Sequence, residues 1–325
     1  MNILIIRPMP LGNATYALPL LDALSRIPGR KNIYVLACAL SATLFERHPA
    51  VTQILTLPKG KLNPKNTFLF ARQLRSLNID LAFLMKTGGT MERLALVAGI
   101  RHRIGFKKSL IQLLTHRYNF DENSHISEQS IQLLRYFPEI FDNLTPPDLR
   151  PKIHLDQTDM NQANDTLREH SLTAHKYITV HPMGSTIAAS GLNHSLFASL
   201  VPFIARKVGC TPVFIGAPSE KVVLDELAGR TQGIAFTEKH SARETLQLIS
   251  QARLHIGNDS GWSHVAEALG RPKIVLYPDN ELNFKRWRPL ALERSLALLN
   301  PSQAPQHEVE RGVSSFLHSL NLQVE

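Results

Sequence analysis

The chain has 325 residues, 43% of them apolar and 19% charged, so two domains are expected and a disordered chain is excluded. No apolar run reaches the ~18 residues of a bilayer-spanning helix, and Met1-Asn2-Ile3-Leu4-Ile5-Ile6-Arg7 lacks the basic start and long apolar stretch of a signal peptide. The net charge of +9 is uneven: residues 1–110 hold 16 Lys/Arg against 4 Asp/Glu (+12), and the remainder holds 20 against 23 (−3), which points the amino-terminal third at an anionic partner.

Ile3–Ile6 reads as a first strand. It is followed by Leu18, Leu20, Leu21, Leu24 and Ile27 at helical spacing, stopped by Pro28-Gly29. Ile33–Ala37, Ile54–Leu57 and Leu81–Met85 are the next predicted strands, with helices near 40–48, 67–77 and 90–99. The alternation restarts with strands at Tyr177–Val180, Pro212–Ile215, Leu254–Ile256 and Lys273–Leu276. Continuous apolar strands separated by helices give parallel sheets covered on both faces. Thr145-Pro146-Pro147-Asp148-Leu149-Arg150-Pro151, with three prolines in seven residues, reads as a linker. The expectation is α/β: two doubly wound Rossmann-like domains, 1–150 and 151–303, facing a cleft. The segment 304–325 includes an amphipathic helical stretch over 309–322. Cys38 and Cys210 cannot build a disulfide framework or a metal cluster by themselves, which fits a reducing, cytoplasmic setting.

Ligands of open α/β sheets sit beyond the carboxyl ends of the strands, so the loops after strands carry the functional reading. After the first strand comes Arg7-Pro8-Met9-Pro10-Leu11-Gly12-Asn13-Ala14, with Asn13 a plausible helix cap and no G-x-G-x-x-G for a nicotinamide cofactor. In the second half, His181-Pro182-Met183-Gly184-Ser185-Thr186 offers backbone and hydroxyl donors to phosphate oxygens. The most informative loop is Gly257-Asn258-Asp259-Ser260-Gly261-Trp262-Ser263-His264, running into a helix that closes at Gly270. The first-turn amides of that helix suit a diphosphate, and Asp259 can cap the helix or accept from a sugar hydroxyl.

These motifs, together with Leu18-Pro19, Arg101-His102-Arg103-Ile104-Gly105-Phe106, Gly216-Ala217 and Ala268-Leu269-Gly270, resemble the glycosyltransferase family 9 heptosyltransferases over nearly the whole chain. The resemblance implies a GT-B architecture, with acceptor bound by the first domain and nucleotide sugar by the second, and the carboxy-terminal helix packed back towards the first. It implies heptose transfer from ADP-heptose to a lipopolysaccharide inner-core acceptor, inverting and without metal, in agreement with the absence of an Asp-x-Asp triplet. Donor contacts then fall on His181, Gly184, Ser185, Thr186, Gly216, Glu220 (towards ribose), Asp259, Ser260, Gly261 and His264. Leaving-group charge would be met by amides, hydroxyls and basic side chains. Acceptor contacts fall on Arg7, Arg101, Arg103, Lys107 and Arg117, beside Lys108.

Two positions depart from the family pattern. The catalytic Asp after Leu-Gly is Asn13, and a carboxamide cannot take the acceptor's proton. The Lys that reaches the donor phosphates is Ser190, with His194 nearby at the start of a helix. Lys86 follows a strand and is the candidate for supplying a catalytic role. His125 and Glu128 can share a helix face, and both also read as capping residues. The alternatives are a non-catalytic nucleotide-sugar-binding member of the fold, or a transferase with a different donor or base. No cofactor is implied. The expected partners are a nucleotide sugar, an anionic lipid-linked glycan and peripheral contact with the inner face of the inner membrane. Nucleic acid is excluded, because the basic residues are scattered and no binding module or stacking motif accompanies them.

Overall fold

Ile3, Leu4, Ile5 and Ile6 are fully buried, and a strand apolar on both faces belongs in the middle of a sheet. It lies there: β1 (Asn2–Ile6) pairs in parallel with β2 (Asn32–Ala37) on one side and β4 (Leu81–Leu84) on the other. β3 (Val51–Thr56), β5 (His102–Phe106) and β6 (His116–Tyr118) complete a parallel sheet of order β3-β2-β1-β4-β5-β6. The computed structural model describes all residues except 58–63, 86–88, 108–112, 185–193, 238–239, 279 and 324–325, and the chain divides into two units, Met1–His154 and Leu155–Glu325.

The helices of the first unit are α1 (Leu11–Thr15), α2 (Leu18–Ser25), α3 (Ala39–Ala42), α4 (Pro64–Ser76), α5 (Gly89–Val97), α6 (Ile126–Gln132) and α7 (Pro138–Phe141). The helix expected near 40–48 is confined to α3: the chain turns through 43–47 ahead of Pro49, and His48 is buried there with its Nε2 2.9 Å from Asp22 of α2. The proline-rich segment expected as a linker is a 3-10 turn at Pro146–Leu149 fastened to the first unit. Asp148 accepts hydrogen bonds from the Thr145 amide and hydroxyl and pairs with Arg26 at the end of α2.

The second unit repeats the plan with β7 (Tyr177–His181), β8 (Thr211–Ile215), β9 (Ile234–Phe236), β10 (Leu254–Asn258), β11 (Lys273–Tyr277) and β12 (Ser295–Leu299), in the order β12-β11-β10-β7-β8-β9. Its helices are α8 (Gln157–Glu169), α9 (His194–Val208), α10 (Lys221–Thr231), α11 (Ala242–Gln251), α12 (Gly261–Ala268), α13 (Glu281–Trp287) and α14 (Gln306–Ser319). The carboxy-terminal helix, expected to pack towards the first domain, buries Val309, Val313 and Leu317 in the apolar cluster of the second unit with Phe197, Val201 and Ile204 of α9. Spacing of i, i+4, i+8 puts the three on one stripe, and that stripe is absorbed here.

One charged pair is built into this second sheet. Lys273 of β11 has no exposed surface, and its Nζ donates to Glu267 Oε2 of α12 at 2.6 Å and to the Ser263 carbonyl at 3.3 Å. Glu267 Oε1 accepts the backbone N–H groups of Leu290 and Ala291, at 2.6 and 3.0 Å. Burial alone would raise the Glu267 carboxyl, but the Lys273 charge and these hydrogen bonds outweigh it and hold the pKa at about 2. Glu267→Gln strands a buried ammonium and is expected to cost about 3–5 kcal/mol in urea unfolding near neutral pH. The ionised carboxylate stabilises the fold above the ordinary glutamate pKa and ceases to do so as pH falls through about 2. The gap between wild type and variant should therefore close as the pH falls below about 4.

Candidate functional site

In the second unit, three strand ends bring the predicted donor residues together. His181 closes β7, Gly216 follows β8, and Asn258 closes β10 ahead of Asp259, Ser260 and the first turn of α12. His181 Nδ1 lies 2.9 Å from Ser260 Oγ, and its Nε2 lies 3.8 Å from Glu220 Oε2. Glu220 Oε2 also accepts the Ala217 N–H at 2.8 Å. The His181 contact is the largest influence on Glu220; with the Ala217 amide it outweighs burial and keeps the carboxyl below the usual glutamate range. Glu220 is therefore an anion near neutral pH, able to accept two hydroxyl protons from a polyol.

Asp259 does not cap α12. The N-cap is Ser260, whose side chain makes no cap bond and is turned to His181, while Asp259 Oδ1 lies 3.3 Å from His264 Nε2. The amino end of α12 thus keeps its first-turn amides from being spent on the side chain that usually takes them. His264 packs near the Trp287 ring, with centroids 6.0 Å apart. Gly261 is the first residue of α12, and Gly184 lies in the segment after β7. Ser185, Thr186 and Ser190 fall outside the described residues, and His194 opens α9 as expected.

Beneath this loop runs a buried chain that sequence reasoning did not assign. Ser263 Oγ donates to the Asn258 carbonyl at 2.7 Å, so towards His255 Nε2, 3.3 Å away, it acts as acceptor. His255 Nε2 then carries the proton, and Nδ1 accepts from the Thr179 hydroxyl at 3.1 Å. Burial first, then the nearby His181 and Lys273, push the His255 pKa far down, in keeping with this neutral tautomer. Asn258 Nδ2 donates to the Pro182 carbonyl, tying the β10 loop to the β7 loop. Asn258 Oδ1 is buried with no hydrogen-bond partner among the described residues, and such an acceptor suits a ligand donor. Asn258 closes β10, and that strand-end position is the signal that could have found it; Trp287 lay in a basic run after a later strand.

In the first unit the predicted residues separate. Arg7 is buried, with Nε donating to the Asn13 carbonyl at 3.0 Å and NH1 to the Met85 carbonyl at 2.6 Å. Burial lowers its pKa to about 10, which leaves it cationic. It thereby ties α1 to the chain after β4. Asn13 is not a helix cap: Pro10 takes that position and Asn13 lies inside α1, half-buried. Lys86, directly after Met85, falls outside the described residues.

The arginine-rich element divides in the same way. Arg103 donates to the backbone carbonyls of Leu113, Ile100 and Arg101, and so serves the turn it belongs to. Arg101 is exposed. Lys107 and Arg117, at the ends of neighbouring strands β5 and β6, converge with Arg135 on a cavity of about 600 Å³ that Tyr118, Gln129 and Gln132 also line. Two acids on its wall are already engaged: Asp121 accepts from the Asn123 amide and the Ser124 hydroxyl. Glu128 accepts the His125 N–H and His125 Nδ1 accepts the Ser127 N–H, a capping box that fixes the His125–Glu128 pair as structural. Lys108 falls outside the described residues.

Two doubly wound parallel sheets, with polar side chains and a helix amino end gathered after the strands of the second, give the GT-B fold. The family model for glycosyltransferase family 9 (heptosyltransferase) matches residues 67–315, and the chain belongs to that family. The lipooligosaccharide heptosyltransferase 2 of Haemophilus ducreyi is 24% identical over 295 residues, 85% of this chain and 83% of that protein. The lipopolysaccharide heptosyltransferase 2 of Escherichia coli is 23% identical, over 87% of this chain and 84% of its own length. Among solved structures, E. coli ADP-heptose LPS heptosyltransferase II superposes with a TM-score of 0.80 at 21% identity, covering 99% of this chain and 100% of that one. E. coli heptosyltransferase WaaC with ADP-2-deoxy-2-fluoro heptose gives 0.70 at 18% identity, covering 98% and 99%.

Gly216 tests how tightly the Glu220 corner is built. A Cβ there would lie 2.5 Å from Glu220 Oε2 and 2.5 Å from Leu224 Cδ1. Gly216→Ala should displace Glu220 and cost about 1–3 kcal/mol in chemical unfolding. Gly229→Ala, on the exposed side of α10 where a Cβ meets nothing within 4 Å, should instead stabilise by about 0.5–1 kcal/mol.

Proposed function

We propose that this glycosyltransferase moves heptose from ADP-heptose to an anionic, lipid-linked inner-core glycan of lipopolysaccharide. The observation that carries the donor assignment is the cluster at the amino end of α12, where His181, Ser260 and the uncommitted first-turn amides converge beside Glu220. A diphosphate gains from the helix dipole and from hydroxyl and imidazole donors. The ionised Glu220 suits ribose hydroxyls, and the unpaired Asn258 Oδ1 suits a further ligand donor. The acceptor's charge is assigned to Lys107, Arg117 and Arg135 around the first unit's cavity. Arg7 holds the Asn13 and Met85 carbonyls together.

The reaction in this reading is a single inverting displacement. The acceptor oxygen forms a bond to the anomeric carbon, the bond from that carbon to the diphosphate oxygen breaks, ADP leaves with the electron pair, and the acceptor hydroxyl's proton passes to water because Asn13 cannot take it. No Asp-x-Asp triplet is present to hold a divalent ion, so amides and side-chain donors bear the leaving-group charge. Localisation follows the acceptor: the cytoplasmic face of the inner membrane, held peripherally, since no helix among the described residues is long and apolar enough to cross a membrane.

Asn13 favours a second reading, a nucleotide-sugar-binding protein without turnover, because a carboxamide can orient the acceptor hydroxyl but cannot take its proton. Calorimetric titration with ADP, followed by a transfer assay using ADP-heptose and a deep-rough acceptor, separates the two. The expected outcome is ADP binding in both wild type and Asn13→Asp, with slow transfer in the wild type and kcat raised about 10²-fold or more by the substitution. Failure of ADP to bind overturns the donor site; binding with no transfer until Asn13→Asp is made establishes the second reading.

A further inference from the structure

Helix α4 carries more apolar surface than its fold requires. Its inward stripe is Phe70, Ala71 and Leu74, all buried in the first unit's core with Leu4, Leu36 and Leu84. Phe68 and Leu69 point the other way and are 60% and 53% exposed. At 100° per residue, Lys65, Phe68, Leu69, Arg72 and Ser76 fall within an arc of about 100° opposite that stripe. Lys65, Arg72 and Arg75 are all exposed, and α4 contains no acidic residue. An aromatic and a leucine side by side between cations, with their backs to an already filled core, are not explained by packing within the chain.

We propose that this outward face of α4 is a docking surface for a bilayer bearing anionic lipid. The chemistry is complementary at two levels. Phe68 and Leu69 have the size and exposure to enter the boundary between headgroups and acyl chains, and the cations on the same face are drawn to anionic headgroups. A protein partner is the poorer match, since the cores of protein interfaces are depleted of lysine and of charge in general. The placement is also directional. Helix α4 follows β3 and so starts towards the carboxyl edge of the first sheet, and Phe68 and Leu69 lie in its first half. Lys107, Arg117 and Arg135 line their cavity at that same edge, after β5 and β6. The inference deepens the transferase reading and rests on it for its purpose: a lipid-anchored acceptor would present its charged sugars to the cavity from the surface on which α4 lies.

The test reads vesicle binding, which does not depend on transfer. Full-length protein is floated with phosphatidylcholine vesicles, with and without phosphatidylglycerol, at low and high salt. The wild type should bind the anionic vesicles and release them as salt rises. Phe68→Ser with Leu69→Ser, and separately Lys65→Gln with Arg72→Gln, should each lower the partition coefficient by about 10-fold or more. Because these side chains are exposed, the variants should melt at the wild-type temperature and turn over a soluble, delipidated acceptor at the wild-type rate. No binding by the wild type, or equal binding by the variants, overturns the proposal. So does a wild-type dimer that the Phe68/Leu69 variant dissolves, since the face would then be a contact between copies. Absence of transfer with vesicle binding intact would count against the transferase reading alone.

Discussion

Lys273 lies in the interior strand β11 with no exposed surface, and an ammonium in that position must be answered within reach of its own side chain. The answer is Glu267, three turns of constraint in one carboxylate: Oε2 takes the ammonium, and Oε1 takes the Leu290 and Ala291 amides. Helix α12, strand β11 and the turn after α13 are thereby locked at a common point. An apolar pair of the same volume could fill the space, but it would leave those two amides without an acceptor and would let α12 choose its own rotation. The ion pair therefore serves orientation, since the end of α12 that carries Ser260 and Gly261 is set by the end that carries Glu267.

The same helix is held a second time from below. Ser263 gives its proton to the Asn258 carbonyl and receives one from His255, which in turn accepts from Thr179 of the neighbouring strand. Each donor is matched to an acceptor only if His255 is neutral with its proton on Nε2, and burial ensures that state. Gly257 is required in this arrangement: a Cβ there would come within 2.9 Å of Ser263 Oγ and 3.0 Å of both the His181 carbonyl and His255 Nε2. The polar surface above, formed by His181, Ser260, Glu220 and Asp259, is thus mounted on a buried chain of hydrogen bonds through Thr179, His255 and Ser263. Preorganisation of this kind is what a site needs when its donors must meet charge without rearranging.

The central strands were legible in the sequence because burial on both faces writes a continuous apolar run, as in Ile3–Ile6 and Ile274–Leu276. The strands that escaped, β6, β9 and β12, are edge strands, and β5 beside β6 opens with His102-Arg103. β6 is the polar His116-Arg117-Tyr118, β9 is only the three residues Ile234–Phe236, and β12, though mostly apolar, is only partly buried, so none carries a period that distinguishes it from its surroundings. His181, Gly216, Glu220, Asp259, Ser260 and His264 lie in or beside the post-strand loops for topological reasons that precede any side-chain geometry. What the loops could not reveal was partnership. Asp259 and Ser260 each fit a cap by propensity, and only the approach of His181 and His264 from elsewhere decides how they are used.

Charge shows the same limit from the other side. The excess of basic residues before position 110 invites a single explanation, an anionic partner, yet much of it is structural. Arg7 is spent on the carbonyls of Asn13 and Met85, Arg103 on those of Ile100, Arg101 and Leu113, Arg75 on that of Val97, and Arg26 on Asp148. Arginine suits this work because its planar fork of donors satisfies several carbonyls at once. Among the described basic residues, two groups stand apart: Lys107 and Arg117, joined by Arg135, line the cavity, and Lys65 and Arg72 lie beside Phe68 and Leu69 on α4. The first set is enclosed among glutamines and a tyrosine, as a sugar with negative charge requires. The second frames exposed hydrocarbon, as a membrane surface requires. The lipid-linked anionic glycan proposed as acceptor would offer both kinds of surface in a single molecule.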